Sequence, residues 1–201
     1  MEQMEIIVTK VTDWDLVLDL ARLTVNKNRL NKNPSEDFKK SILISEHSPI
    51  RSLQFVIEMK NIPSWVSQHI ARHDAFANHT VRESNGDSHF VGTSRTDRTG
   101  IDRNKLPQDA LVNHTIYCNA QDLITISRKR LCSCASKETR EVWQKVKEAI
   151  AKIEPTMASV MVRECVYRGF CPEKSCCMYI NTTKFSEEVE NYHNLNIIPS
   201  K

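Results

Sequence analysis

The sequence predicts an α+β fold, because strand-like and helix-like stretches follow one another without the regular alternation of a parallel α/β protein. The 201 residues are enough for one domain with a sizeable core, and 40% hydrophobic and 26% charged residues are ordinary values for a globular protein. No internal repeat or low-complexity segment appears, and only four glycines are present, so no linker is evident. We therefore expect residues 1–201 to form a single domain.

The first third of the chain is predicted to hold two helices between two strands. Glu5 to Val11 has strand spacing, and Thr12 or Asp13 can cap a helix after it. Residues 33–35 introduce a second helix, and a turn at residues 47–49 precedes a strand with alternating apolar residues. The apolar positions expected in these elements are Leu16, Leu20 and Leu23, then Phe38, Ile42 and Leu43, then Leu53, Phe55, Ile57 and Met59.

Three further helices are predicted, separated by one long loop. Pro63 suits the first turn of a helix, and the polar segment from Asp74 to Lys105 has no clear period and is expected to be a loop that serves a site. Asn119 can cap a helix that reaches about Cys132, and Ser136 can cap a longer helix that Pro155 ends. The recurring positions are Trp65, His69, Ile70 and His73 in the first helix and Trp143, Val146, Ile150 and Ile153 in the last.

Charge and hydropathy exclude two broad classes of partner. The formal net charge of +3, from 28 Lys and Arg against 25 Asp and Glu, is too small to indicate non-specific binding to nucleic acid. The apolar stretches are far too short to span a membrane, and the first ten residues do not have the pattern of a signal peptide. We expect a cytoplasmic protein that binds neither nucleic acid nor membranes.

The cysteines are concentrated in the second half of the chain, and their number is odd. In a cytoplasmic protein most of them should be thiols. The segment CVYRGFCPEKSCC allows a zinc site, since thiolates are strong zinc ligands, but its spacing is not that of paired CxxC motifs. We expect structural thiols or a disulfide and no metal. The seven residues are Cys118, Cys132, Cys134, Cys165, Cys171, Cys176 and Cys177.

Four segments, taken in order, resemble the flavin-dependent thymidylate synthases. The resemblance covers about two-thirds of the chain, and no single segment carries it alone. The segments are EHSPIRSLQFVIEMKNIPSWVSQHIARH at 46–73, HFVGTSRTDRTG at 89–100, DRNKLPQDALVNHTIYCNAQDL at 102–123 with its continuation RKRLCSCASKETR to 140, and CVYRGFCPEKSCC at 165–177.

The resemblance implies a specific architecture and reaction. The expected fold is a central, mostly antiparallel sheet with helices packed on it, assembled as a homotetramer with active sites between subunits. The expected enzyme is a methyltransferase that converts dUMP to dTMP, with FAD as cofactor and with NADPH and methylenetetrahydrofolate as co-substrates. Because the cofactors carry out the difficult chemistry, the protein mainly positions reactants and supplies electrostatics.

The resemblance assigns flavin contacts to five residues. Arg72 and His73 match the first two positions of the family's Arg-His-Arg motif, and Asp74 stands at the third, where it reverses the charge. Ser48 matches a small hydroxyl that contacts flavin, and Asn119 matches a flavin-contacting asparagine. Thr125, with Gln121, takes the place of the polar residues usual near flavin on the same helix.

Nucleotide contacts are assigned in the same way. Arg95, in GTSRTDR, resembles the arginine of the family's Ser-x-Arg element, with Thr93 in place of serine, and Arg82 is a rival for this role. Arg103 has the spacing of a nucleotide-phosphate arginine. One of Gln68 and His69 resembles a polar residue that faces the nucleotide, although a histidine on an apolar helix face is often a hydrogen-bonded core residue. Both residues are kept as substrate-binding candidates.

Arg130 is the expected catalytic residue, and it is also assigned to substrate binding. It lies eleven residues after Asn119, the spacing of the family's arginine that contacts the pyrimidine ring. A fixed cation there can stabilise negative charge that develops on a carbonyl oxygen. Arg128 is the rival candidate, and a solvated helix charge is the structural alternative.

Three other functions remain open from the sequence alone. Asp74 and the long loop could retune the pocket toward another pyrimidine nucleotide or toward hydroxymethylation. A nucleotide-binding homologue could have kept Arg95, Arg103 and Arg130 but lost flavin. A zinc-stabilised nucleic-acid module would use the cysteines, and the weak net charge argues against it.

Overall fold

The computed structural model describes residues 3–71, 90–93 and 105–195 of the chain, with residues 90–93 as backbone. Within these ranges the elements confirm the predicted α+β class. The strands are β1 (Glu5–Lys10), β2 (Gln54–Pro63), β3 (Phe90–Thr93) and β4 (Leu111–Asn119). The helices are α1 (Trp14–Leu23), α2 (Glu36–Ile44), α3 (64–71), α4 (Ala120–Arg130), α5 (Lys137–Ile153), α6 (Pro155–Val160), α7 (Glu164–Arg168) and α8 (Thr183–Asn194), with short 3₁₀ turns at Ser48–Ser52 and Tyr179–Asn181.

The four strands form one antiparallel sheet in the order β1-β2-β4-β3. Along β2 the predicted alternation is confirmed, since Phe55, Ile57 and Met59 are fully buried. Their partners on β4 are Cys118, Ile116 and His114, which continue the same buried face. This face packs into a hydrophobic core that α5 covers from one side.

Two strands lie where the sequence did not indicate them. β3 occupies residues 90–93 of the segment predicted to be a loop, so that prediction is wrong there. β4 was not predicted because its inward positions include His114 and Cys118 beside Val112 and Ile116, which weakens the contrast between apolar and polar faces. β3 pairs with β4, and β4 also pairs with β2, so this tertiary pairing stabilises both strands.

The predicted helix starts are confirmed at three positions. The side chain of Ser35 accepts a hydrogen bond from the backbone of Phe38, and Ser136 accepts one from Thr139. Asn119 forms a capping box with Asp122 at the start of α4. Pro63 differs slightly from its prediction, because it ends β2 and α3 begins one residue later.

The buried faces of α1 and α5 differ from the predicted ones. In α1 the predicted Leu16 and Leu23 are exposed, whereas the buried apolar side chains are Trp14, Val17 and Leu18. The indole of Trp14 sets this rotation, because its Nε1 donates a hydrogen bond (2.9 Å) to the buried carboxylate of Glu154. In α5 the stripe is confirmed at Trp143, Val146 and Ile150, but Ile153 is exposed at the helix end.

Candidate active site

The predicted site residues that the structure describes lie around α4 and its neighbours. The helix starts directly at the end of β4, packs near its first turns on the Ser48–Ser52 turn, and reaches α3 with its last residue. The candidates for cofactor binding lie on the turn (Ser48), at the N-cap of α4 (Asn119) and at the middle of α4 (Thr125). The candidates Gln68, His69 and Arg130 lie where α3 meets the end of α4.

Arg130 joins α4 to α3. Its Nη2 donates a hydrogen bond to the main-chain carbonyl of His69, and the side chain is half-buried. His69 is three residues before position 72, so the guanidinium of Arg130 is fixed beside the helix that leads in sequence to Arg72 and His73. The structure thus brings the predicted catalytic arginine next to the predicted nucleotide-facing helix.

Within α3, Gln68 and His69 have different surroundings. The His69 ring packs edge-on against Trp65 with centroids 5.3 Å apart, and its Nδ1 lies 3.4 Å from the hydroxyl of the buried Thr139. Gln68 is exposed. His69 is therefore held by the chain itself, in keeping with the structural alternative, and Gln68 is the residue that can reach a ligand from the surface of α3.

Arg128, the rival of Arg130, is engaged in a separate contact. Its guanidinium forms an ion pair with Glu46 and lies 3.5 Å above the ring of Tyr167. Gln121 donates to the other oxygen of the same carboxylate at 2.6 Å. This network fixes α4 to the end of α2 and to α7, a role for Glu46 and Gln121 that the sequence analysis missed.

The predicted cofactor residues combine exposed hydroxyls with a buried amide. Ser48 and Thr125 are exposed, and the Thr125 hydroxyl donates to the Gln121 carbonyl at 2.9 Å. The Asn119 side chain is buried, and its Oδ1 accepts from the backbone of Asp122 at 3.1 Å. Asn119 therefore serves as a helix cap, whose oxygen is used within the chain.

The remaining predicted residues fall largely outside the described ranges. Thr93 is the last residue of β3, and its Cα pairs with that of His114 in the sheet. Outside the described residues lie Arg72, His73, Asp74, Arg82, Arg95 and Arg103.

Two clefts of the described chain contain none of the predicted site residues. One, of about 590 Å³, lies between α5, α6 and α8, and the other, of about 720 Å³, borders it along α5. Lys147, Arg163 and Lys184 give the first cleft a cationic lining, and burial lowers the pKa of Lys147. Leu131, one residue past Arg130, lines both clefts.

The seven cysteines are thiols and form no disulfide. Within residues 3–71 and 105–195, no three His, Cys, Asp or Glu side chains are arranged so that they could hold a metal ion. The same residues include no helix with the length and hydropathy of a membrane span.

The structure of this chain is similar to solved structures of nucleotide-methylating enzymes. The UMP/dUMP methylase PolB from Streptomyces cacaoi, bound with 5-Br dUMP, has a TM-score of 0.59 and 13% identity over 85% of this chain and 96% of its own. A flavin-dependent thymidylate synthase ThyX from Helicobacter pylori, complexed with FAD and dUMP, has a TM-score of 0.59 and 14% identity over 79% of this chain and 100% of its own. A second structure of the Helicobacter pylori enzyme with FAD and dUMP has a TM-score of 0.57 and 13% identity.

These similarities confirm the expected fold at low sequence identity. No protein-family profile matches the chain. No curated protein matches it either. The fold is therefore the one that the four sequence segments indicated, and the assignment of function depends on the site.

Proposed function

We propose that this chain, whose fold is that of the flavin-dependent thymidylate synthases, converts dUMP to dTMP by FAD-dependent reductive methylation. Methylenetetrahydrofolate would donate the one-carbon unit and NADPH the electrons. The observation that carries the proposal is the fold shared with a thymidylate synthase complexed with FAD and dUMP, on a chain that has the family's sequence segments in order. The position of Arg130 beside α3 supports it.

The polar groups near the first half of α4 fit a flavin. Ser48 and Thr125 offer exposed hydroxyls on two elements that pack together. The Ser48 hydroxyl can donate to a ring or phosphate oxygen, and the Thr125 oxygen, whose proton is used by the Gln121 carbonyl, can accept from a ring N–H. Arg72 and His73, assigned from sequence, would add donors for an anionic group. When bound, FAD supplies the hydride that completes the methyl group. Asn119 would act mainly by fixing the start of α4.

The nucleotide would lie toward the other end of α4. We assign Arg95 and Arg103 to the phosphate, because the planar guanidinium pairs with two phosphate oxygens at once. Thr93 and Gln68 would contribute hydrogen bonds, and His69 would act by holding α3. Arg130 would stabilise the negative charge that develops on a pyrimidine carbonyl oxygen as the ring is activated. Its hydrogen bond to the His69 carbonyl restricts the guanidinium before substrate binds.

Methylation of another pyrimidine nucleotide is the second candidate function. Asp74 replaces a cation of the flavin motif, and the similar structure from Streptomyces cacaoi is a methylase of UMP as well as dUMP. A ribonucleotide differs from dUMP by one hydroxyl, which a pocket can accept or reject through a single hydrogen bond.

The proposal is tested by flavin retention followed by tritium release. The purified protein is mixed with FAD and desalted, and the flavin spectrum is recorded. It is then given NADPH, methylenetetrahydrofolate and either dUMP or UMP carrying tritium at the carbon that is methylated. Retained flavin with release from dUMP supports the main proposal, and release from UMP alone supports the second candidate. If no flavin is retained and no tritium released, the chain is a nucleotide-binding homologue rather than an enzyme.

A further inference from the structure

Six of the seven cysteines come together at one side of the molecule. They lie in the turn between α4 and α5, in α7, and in the irregular segment that follows α7. Four of them line one small void of about 10 Å³, which is room for no more than a water molecule. The void is too small for a larger ligand, so the thiols around it are placed to react with one another. The four are Cys132, Cys165, Cys171 and Cys177, and the two others are Cys134 and Cys176.

Cys177 differs from the other thiols in its surroundings. It is exposed, and the backbone N–H of Tyr179 and the hydroxyl of Ser133 lie near its sulfur and favour the thiolate. Arg163 donates to that same hydroxyl at 3.2 Å and places a positive charge near the sulfur. These groups lower the pKa of Cys177 from its ordinary value, so its thiolate is favoured.

Three neighbouring thiols have a raised pKa. The proximity of Cys132 raises the pKa of Cys134 to about 11, and burial raises that of Cys165 to about 11. At Cys171 the backbone N–H of Glu173 lowers the pKa, but the hydrogen bond with Cys176 and the other nearby thiols outweigh it, and the net direction is upward. Among these four thiols, Cys177 is the one whose thiolate is favoured.

We propose that Cys177 is an oxidant-reactive nucleophile and that Cys171, which lines the same void, closes a disulfide with it. The Cys177 thiolate attacks one oxygen of hydrogen peroxide, the O–O bond breaks, and hydroxide leaves and takes up a proton, which gives a sulfenic acid. Cys171 then attacks this sulfur after losing its proton, the S–O bond breaks, and the second oxygen leaves as water. Two thiols are oxidised by two electrons in total, and the peroxide is reduced to two waters.

The backbone favours Cys171 as the partner. Residues 169–178 contain no helix or strand, so both ends of a 171–177 link can adjust to the short Cα separation that a disulfide requires. Cys165, in contrast, is buried in α7. Cys176 is next to Cys177 in sequence but does not line the void.

Peptide mapping of the full-length protein tests the proposal. The reduced protein is treated with equimolar hydrogen peroxide, alkylated without reduction and digested with trypsin, which separates Cys171 (peptide 169–174) from Cys177 (peptide 175–184). We expect a disulfide between these two peptides, with fragmentation placing it on Cys177. In Cys177→Ser the rate of peroxide consumption should fall about tenfold or more, and the link should disappear.

Two further variants make the result decisive. In Cys171→Ser a sulfenic acid on Cys177, trapped with dimedone, should replace the disulfide. Cys176→Ser is the matched control in the same segment. In this variant the disulfide between Cys171 and Cys177 should still form, and the rate of peroxide consumption should be unchanged. A link that survives in Cys177→Ser, or that is lost in Cys176→Ser, would overturn the proposal, since it would identify Cys171 and Cys176 as the reacting pair. Circular dichroism of each reduced variant checks that the fold is kept.

Discussion

Arg128 and Arg130 lie two residues apart in α4, so their side chains point about 200° apart around the helix axis. This rotation directs Arg128 to Glu46 and Tyr167 and Arg130 to α3. We predict that Arg130→Ala lowers the rate of methylation about 100-fold or more in a protein that still folds, because its proposed role is in the transition state. Loss of its hydrogen bond to the His69 carbonyl should cost about 1 to 2 kcal/mol of stability. Tritium release and thermal unfolding measure the two effects.

Arg128→Ala is the matched control for this prediction. It removes a largely buried ion pair and a cation–π contact, so we expect a loss of stability of about 2 kcal/mol. The folded Arg128→Ala protein should have a rate of methylation per bound flavin close to that of the parent protein. The opposite result would exchange the roles assigned to the two arginines. It would be a near-normal rate of methylation by Arg130→Ala together with a large loss of rate in folded Arg128→Ala.

His114 should make the stability of the protein depend on pH. It is buried on β4, and burial lowers its pKa from 6.5 to about 4. Between these values the unfolded chain binds the proton and the folded chain does not, so stability falls as pH decreases, by about 1.4 kcal/mol per unit at most. The free energy of unfolding is measured with urea at pH 7 and at pH 5. The difference between the two values should be smaller for His114→Gln than for the parent protein. Equal differences in the two proteins would contradict the assignment.

At the scale of elements, the start of α4 combines a structural and a proposed functional role. Asn119 and Asp122 satisfy each other's backbone N–H groups in a capping box. We predict that Asn119→Ala costs about 1 kcal/mol of stability because the cap is lost. Asp122→Ala removes the other half of the box and is the control. If Asn119 also touches flavin, Asn119→Ala should weaken FAD binding more than Asp122→Ala does, and equal dissociation constants would leave it a cap alone.

The elements that could be predicted from sequence are those whose signal is local. The caps at Ser35, Asn119 and Ser136 and the alternation of β2 depend on residues within a few positions. The buried face of α1 could not be predicted in this way, because the Glu154 that orients Trp14 is 140 residues away.

The same distinction applies to the candidate site. The spacing from Asn119 favoured Arg130 over its rival Arg128, and the partner of Arg128, Glu46, lies 82 residues earlier in the sequence. The contact of Arg130 with His69 spans 61 residues and is likewise a product of tertiary structure. The spacing from Asn119 therefore selected Arg130 in the sequence, and the contacts that distinguish it from Arg128 come from the tertiary structure.

At the scale of the whole molecule, two proposed flavin residues and one proposed nucleotide residue lie on an outer surface of the described chain. The flavin candidates Ser48 and Thr125 and the nucleotide candidate Gln68 are exposed, and neither of the two large clefts includes them. A bound flavin needs more enclosure than these groups give, since ligand sites usually bury most of their ligand. We therefore propose that other subunits complete the site in a homotetramer.

This proposal predicts that assembly and FAD binding are coupled. A tetramer should have four times the 23.2 kDa mass of the chain in light scattering, and FAD should raise the tetramer fraction on dilution, because a ligand that binds only the assembled form stabilises it. Conversely, the apparent FAD affinity should increase with protein concentration until assembly is complete. Tight FAD binding by a monomer would contradict the prediction, and it would mean that the chain encloses the flavin by itself.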